Sequence, residues 1–153
     1  MPTPDTELDA SETVFRFYPL NDAFIPNGQN TQNGGIFIPS SQDKDEAERR
    51  GTNVRLSVWD IALTTCEQAK RIWGKRDVVV AYGVAVVDVL RIRDLCNRDR
   101  LRVVRDPLPE HQGPGHDGHC GFEGLDRLSG EEKKALKTLR DVLAQHCFAL
   151  AQL

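Results

Sequence analysis

Val78-Val-Val-Ala-Tyr-Gly-Val-Ala-Val-Val87 is the most apolar run of the chain and is rich in β-branched residues. This composition favours a strand that is buried on both faces, so we expect it to form the central strand of the core. Residues 54–59 alternate apolar and polar side chains, which predicts a second, half-buried strand. Residues 129–153 begin with Ser-Gly-Glu-Glu and repeat leucines at helical spacing, which predicts a capping box and an amphipathic C-terminal helix.

The remaining segments complete an α+β pattern. Residues 13–18 and 101–105 read as strands, and residues 65–73 read as a helix that is stopped by Gly74. We therefore expect a single α+β domain at 13–153, with a three- to five-stranded mixed sheet and two or three helices. Residues 1–12 hold two prolines and four acids, which predicts a flexible acidic tail. The segments 19–35 and 107–124 are too rich in turn formers to be regular.

Composition restricts the class of protein. A chain of 153 residues has the size of one domain. It has no apolar run long enough to cross a membrane and no signal-peptide pattern, and its four cysteines are irregularly spaced. We expect a cytoplasmic protein with reduced thiols and no membrane contact. The net charge of −3 argues against a positive electrostatic field over the whole protein that would attract nucleic acid.

The segment Gly115-His-Asp-Gly-His-Cys120 concentrates side chains that could carry chemistry. His116, His119 and Cys120 are zinc ligand types, and a fourth ligand could come from Cys147, His146 or His111. The same histidines and cysteine are candidate catalytic residues, with Cys120 as a thiolate nucleophile; Asp106 with His116 is an alternative acid–base pair. A polar loop without chemistry is the simpler interpretation.

A cluster of arginines lies at 91–105. Arg100 and Arg102 are candidates to bind an anionic cofactor or nucleic acid, because guanidinium groups bind phosphate bidentately. The alternative is a solvated surface whose arginines pair with neighbouring acids.

Two resemblances accompany these patterns. Arg16 on a first strand and Ser57 on a later one resemble the arginine and serine of NAD-using ADP-ribosyl-transfer folds, although no glutamate falls at a matching position. The ending Val103-Val-Arg-Asp-Pro-Leu-Pro followed by Gly115-His116 and a lysine-rich helix resembles small uncharacterised bacterial proteins. That second resemblance covers only the last third of the chain and implies no activity.

No complete active site is evident in the sequence. The leading hypothesis is a non-enzymatic binding or assembly protein that contacts a protein partner, as a subunit or accessory factor of a bacterial multi-protein system. The alternatives are a zinc-binding protein or small enzyme organised around residues 116–120, and a divergent ADP-ribosyl-transferase-like domain.

Overall fold

The computed structural model describes residues 3–19, 34–74, 76–108 and 113–153. Its strands are β1 Thr13–Pro19, β2 Arg55–Asp60, β3 Val79–Ala85, β4 Arg102–Arg105, β5 His119–Glu123 and β6 Phe148–Gln152. Its helices are α1 Ser41–Arg50, α2 Cys66–Trp73, α3 Val86–Leu95 and α4 Lys133–Gln145. The strands form one sheet in the order β4-β5-β2-β1-β3-β6, and every neighbouring pair is antiparallel.

The α+β class is confirmed, but the predicted three- to five-stranded mixed sheet with two or three helices is wrong. Within the described ranges the sheet has six strands, all antiparallel, and there are four helices. Residues 79–85 of the apolar run form β3, and its last two valines begin α3. β3 lies next to the edge strand β6 and not at the centre of the sheet. α1 forms although only Ala47 on it is buried, because Ser40 and Asp43 close a capping box.

Helices and apolar side chains cover both faces of the sheet. The larger core lies under α3, α4 and a 3-10 helix at Gly34–Phe37. A smaller cluster on the other face contains Phe15, Phe17, Trp59 and Ala69, the last from α2. The left-handed Gly74 ends α2 as the sequence predicts, and Thr65 and Gln68 close a capping box at its start.

The predicted C-terminal helix is too long at both ends. α4 begins at Lys133 after Glu132, which makes no side-chain cap, so the predicted Ser129 capping box is wrong. The helix ends at Gln145, and residues 148–152 form β6 against β3. This pairing satisfies the outer backbone groups of β3, which a continued helix would leave without partners.

The N-terminal residues extend the sheet beyond β4. The amides of Asp5 and Leu8 donate to the carbonyls of Arg105 and Val103, at 2.8 and 2.9 Å, and the Arg105 amide donates to Thr6 at 2.8 Å. Leu8 is buried in the larger core. Residues 5–8 of the segment predicted as an acidic tail are therefore held by backbone hydrogen bonds and by one apolar side chain.

Candidate functional site

The sheet opens at the seam between β1 and β2. These strands pair only at Val14 with Asp60 and at Phe15 with Trp59, and then they diverge. A cleft of about 600 Å³ lies at this opening. The Arg16 side chain spans the opening, where its Nε donates to the Ile36 carbonyl at 2.9 Å and its Nη1 donates to the Ser57 carbonyl at 2.7 Å.

Ser57 and His119 meet on the cleft side of the sheet. The register between β2 and β5 sets Trp59 opposite His119 and Ser57 opposite Gly121, so Ser57 and His119 are diagonal neighbours on one face. The Ser57 Oγ lies 3.0 Å from the His119 Nε2. Ser57 is exposed, whereas His119 is buried and meets the Trp59 ring edge-on at 4.8 Å between centroids.

Asp106 determines the orientation of the His119 ring. The His119 Nδ1 lies 2.7 Å from the backbone carbonyl oxygen of Asp106, which can only accept. We therefore assign the proton of the neutral ring to Nδ1, where it is donated to this carbonyl. His119 Nε2 is then an acceptor, and Ser57 Oγ–H is the donor to it. This is the geometry that a histidine needs in order to accept a proton from a serine hydroxyl.

The Asp106 carboxylate lies behind the same ring, with Oδ2 3.9 Å from the His119 Nδ1. Arg50 binds it through both nitrogens of its fork, at 3.0 and 2.7 Å, and Arg55 Nη1 lies at 3.6 Å. Burial raises the pKa of Asp106, but the Arg50 hydrogen bond and the charges of His119, Arg50 and Arg55 lower it below its ordinary value. An ionised carboxylate this close to the ring can stabilise the positive charge that forms when the imidazole accepts a proton.

A second carboxylate, that of Glu123, binds two residues that line the cleft, Arg55 and Asn53. Glu123 is buried and accepts hydrogen bonds from Arg55 at 2.8 Å, from Arg102 at 2.7 Å and from Asn53 at 3.2 Å. Burial raises the pKa of Glu123, but these three donors lower it below the ordinary value. The Arg55 side chain crosses over Gly121, where an added Cβ would lie 2.6 Å from the Arg55 Cδ. Because Gly121 has no side chain, there is room for the Arg55 side chain to lie against its backbone.

The walls of the cleft differ in chemistry. On one side Trp73 stacks on Phe17, with ring centroids 5.4 Å apart and planes 8° apart, and Ile72 and Leu108 also line the cleft. The other side is polar and consists of α1 with its cap. Its lining residues are Ser40, Gln42, Asp43, Glu46 and Arg50. The cleft therefore offers an aromatic wall, a polar wall and a serine–histidine pair.

The structure separates the residues that the sequence grouped as metal ligands. His119 and Cys120 are consecutive on β5 and point to opposite faces, so His119 lines the cleft while Cys120 belongs to the larger core. His116 lies on a 3-10 turn with its Nδ1 2.8 Å from the Gly113 carbonyl. Among the residues of the described ranges, no three histidines, cysteines or acids are grouped to hold a metal. His111 lies outside those ranges.

The thiols also differ from those of a reactive cysteine. Burial raises the pKa of Cys120 to about 12, and Sγ donates to the Gly118 carbonyl at 3.5 Å. Burial likewise raises the pKa of Cys147 to about 12. Both groups are neutral thiols at neutral pH, and a neutral thiol is a poor nucleophile and a poor zinc ligand.

The arginine cluster is compensated by acids. Each of its six arginines has a carboxylate within 4 Å; the pairs are Arg91–Asp88, Arg93–Glu7, Arg98–Glu131, Arg100–Asp126, Arg102–Glu123 and Arg105–Asp60. Arg100 and Arg102, the predicted anion-binding residues, are thus engaged in ion pairs. The arrangement corresponds to the paired surface that the sequence offers as the alternative.

The sequence assigns candidate roles to Ser57 and His119 separately and does not pair them. They are 62 positions apart, and β5, which brings them together, was not among the predicted strands. Asp106 was considered as the partner of His116, whereas the structure sets it beside His119. The alternation of buried apolar Cys120 and Phe122 with polar His119 and Glu123 is the period-two signal that could have identified β5.

No protein-family model, curated protein or solved structure matches this chain. In the part of the chain that the structure describes, no helix is both long enough and apolar enough to cross a membrane.

Proposed function

We propose that the protein is a hydrolase of small carboxylic esters, with Ser57 as the nucleophile and His119 as the general base. The observation that carries this proposal is the 3.0 Å contact from Ser57 Oγ to His119 Nε2 in an open cleft. The backbone carbonyl of Asp106 supports it, because it holds the imidazole in the tautomer that can accept the serine proton.

The reaction would proceed in two balanced halves. Ser57 Oγ attacks the ester carbonyl carbon while His119 Nε2 takes the hydroxyl proton, and the C–O bond to the leaving alcohol breaks as His119 returns that proton to it. Water then attacks the acyl-serine, gives its proton to His119, and the acid leaves as Ser57 regains a proton. The Asp106 carboxylate stabilises the imidazolium formed in each half.

The test is labelling with a fluorophosphonate probe, which reacts with a serine whose hydroxyl is activated. We expect the wild-type protein to be labelled at Ser57 and to hydrolyse p-nitrophenyl acetate, and Ser57→Ala to lose both properties. Ser57→Ala removes one exposed oxygen, so its unfolding curve should match that of the wild type.

Ser41→Ala is the matched control, because Ser41 is an exposed serine at the start of α1 and is not among the cleft residues. It should be labelled and hydrolyse the ester as the wild type does. Equal labelling of the wild type and Ser57→Ala would contradict the proposal.

A second candidate function is NAD-dependent ADP-ribosyl transfer, which the Arg16–Ser57 contact favours. Against it, the buried glutamate of the same sheet face, Glu123, has both carboxylate oxygens occupied by donors. Release of nicotinamide from NAD by the wild type, and its loss in Arg16→Lys, would favour this function over ester hydrolysis.

The remaining hypotheses keep their own tests. If the protein is a non-catalytic assembly protein, a defined partner should co-purify with it. The irregular segments on which that hypothesis rests include residues 20–33 and 109–112, which lie outside the described ranges. A zinc protein should carry near-stoichiometric zinc in elemental analysis. A monomer without partner or metal that turns over an ester would count against both.

A further inference from the structure

The three arginines that line the described cleft differ in their partners. Arg50 is bound by the Asp106 carboxylate, and Arg55 is bound by those of Glu123 and Asp5. Arg16 hydrogen-bonds only to the backbone carbonyls of Ile36 and Ser57, and no carboxylate of the described residues lies within ion-pair distance of it. Among the described residues, Arg16 is therefore the cleft arginine without a carboxylate partner.

Asp43 is an acid whose charge acts on Arg16 and raises its pKa, but the two side chains form no ion pair. The Asp43 carboxylate accepts the Ser40 amide at 2.8 Å in the capping box of α1. Burial is the largest influence on Arg16 and lowers its pKa. A partly buried guanidinium that keeps its charge without a carboxylate is energetically unfavourable, and a bound anion would offset this cost.

We infer that the substrate of this site carries an anionic oxygen group, a carboxylate or a phosphate, which Arg16 binds beside Ser57. This inference rests on the proposed hydrolase site. The planar guanidinium fork matches either group bidentately, and Nη2 of Arg16 has no hydrogen-bond partner among the residues that the structure describes. Since Nη1 of Arg16 contacts the carbonyl of Ser57 itself, the anionic group lies close to the ester that Ser57 attacks.

The first experiment compares a neutral with an anionic ester, p-nitrophenyl acetate with mono-p-nitrophenyl succinate. We expect the wild type to favour the anionic ester by about tenfold in kcat/KM, and Arg16→Gln to lose this preference. Arg91→Gln, which removes an exposed arginine outside the cleft, should keep it. Turnover of both esters without a preference would overturn the inference and leave the hydrolase proposal intact.

The second experiment measures binding without turnover. Ser57→Ala should bind succinate or inorganic phosphate in calorimetry, and Ser57→Ala/Arg16→Gln should bind about tenfold more weakly or not at all. Binding of succinate alone would identify a carboxylate substrate, and binding of phosphate alone a phosphorylated one. Binding of neither, or binding that is insensitive to Arg16→Gln, would overturn the inference.

Arg16→Lys separates charge from structure. It keeps the positive charge but cannot make both carbonyl hydrogen bonds, so it should retain part of the anion affinity. If Arg16→Lys loses affinity as fully as Arg16→Gln does while its unfolding curve matches that of the wild type, the bidentate guanidinium fork, and not the positive charge alone, binds the anion. Anion binding that depends on Arg16, together with absent ester turnover, would instead remove the hydrolase proposal alone.

Discussion

At the scale of single residues, Glu123 is a buried carboxylate that forms ion pairs with two arginines. It is buried, and its carboxylate accepts from Arg55, Arg102 and Asn53. A buried ion pair adds little compared with a well-packed apolar pair, but removing one member leaves the other charge buried and uncompensated. Neutralising this carboxylate should therefore lower the stability of the fold.

We expect Glu123→Gln to lower the free energy of unfolding by about 3 kcal/mol near neutral pH, measured by urea denaturation. Because the pKa of Glu123 is lowered, its contribution is complete above the ordinary carboxyl range and is lost as the pH falls through the lowered pKa. The difference between wild type and variant should therefore narrow in acid.

The control for this prediction is Glu48→Gln, an exposed glutamate on α1. It should unfold as the wild type does at every pH. A Glu123→Gln difference that widens in acid would contradict the assigned ion pairs.

The candidate site could be predicted from the sequence only one residue at a time. Ser57 and His119 were each notable as residue types, but the hypotheses attached His119 to its chain neighbours His116 and Cys120. On a strand, consecutive side chains point to opposite faces, so the true partner of His119 is a residue of the adjacent strand. Finding that partner requires the register of β2 with β5, which is a tertiary property.

At the scale of elements, the two ends of α4 show how local signals are overridden. The sequence Ser-Gly-Glu-Glu at 129–132 matches a capping box, but Gly130 adopts a left-handed φ of 82°. Glu131 turns instead to Arg98 and to the Leu128 amide, the latter at 3.2 Å. Glu131 thus pairs with Arg98, two residues after the C-cap of α3, and no side chain caps the start of α4.

We expect Ser129→Ala to change the free energy of unfolding by less than about 0.5 kcal/mol, because Ser129 does not cap α4. Thr65→Ala should cost about 1 kcal/mol, because the Thr65 hydroxyl accepts the Gln68 amide at 3.1 Å. Chemical denaturation of both variants measures the difference. If Ser129→Ala lowered the free energy of unfolding more than Thr65→Ala did, Ser129 would cap α4 after all, as the sequence predicts.

The sequence predicts α2, the middle of α4 and the first four strands, because their periodicity and stop signals are local. β5 was missed because glycine and polar residues dilute its apolar pattern, and both of its faces are nevertheless buried. The sequence does not predict β6, because Cys147 and Leu150 continue the spacing of the preceding leucines. The backbone requirement of β3 for a neighbour, and not local propensity, converts this segment to a strand.

At the scale of the whole molecule, the N-terminal segment belongs to the folded unit. Leu8 is 2% exposed and packs in the larger core, while residues 5–8 hydrogen-bond along β4. Asp5 also reaches Arg55, so the segment contacts the network beneath the cleft. A tail that is flexible would have none of these contacts.

We expect Leu8→Ala to destabilise the protein by about 3 kcal/mol, as a buried leucine truncation does. If residues 1–12 were a flexible tail, the substitution would have no effect. Thermal or urea unfolding decides between the two, with Thr6→Ala as the control, since Thr6 is exposed and contributes its backbone.

The seam between β1 and β2 also has a dynamic consequence. β1 pairs with β3 over seven residues and β2 with β5 over five, but β1 pairs with β2 over only two. The sheet is thus two three-stranded ribbons that share a short joint, and separation at this joint requires less free energy than unravelling either ribbon. Arg16 and Phe17 belong to one ribbon, and Ser57 and His119 belong to the other. A ligand held between them would clamp the ribbons together, and amide hydrogen exchange along the seam would slow when the cleft is filled.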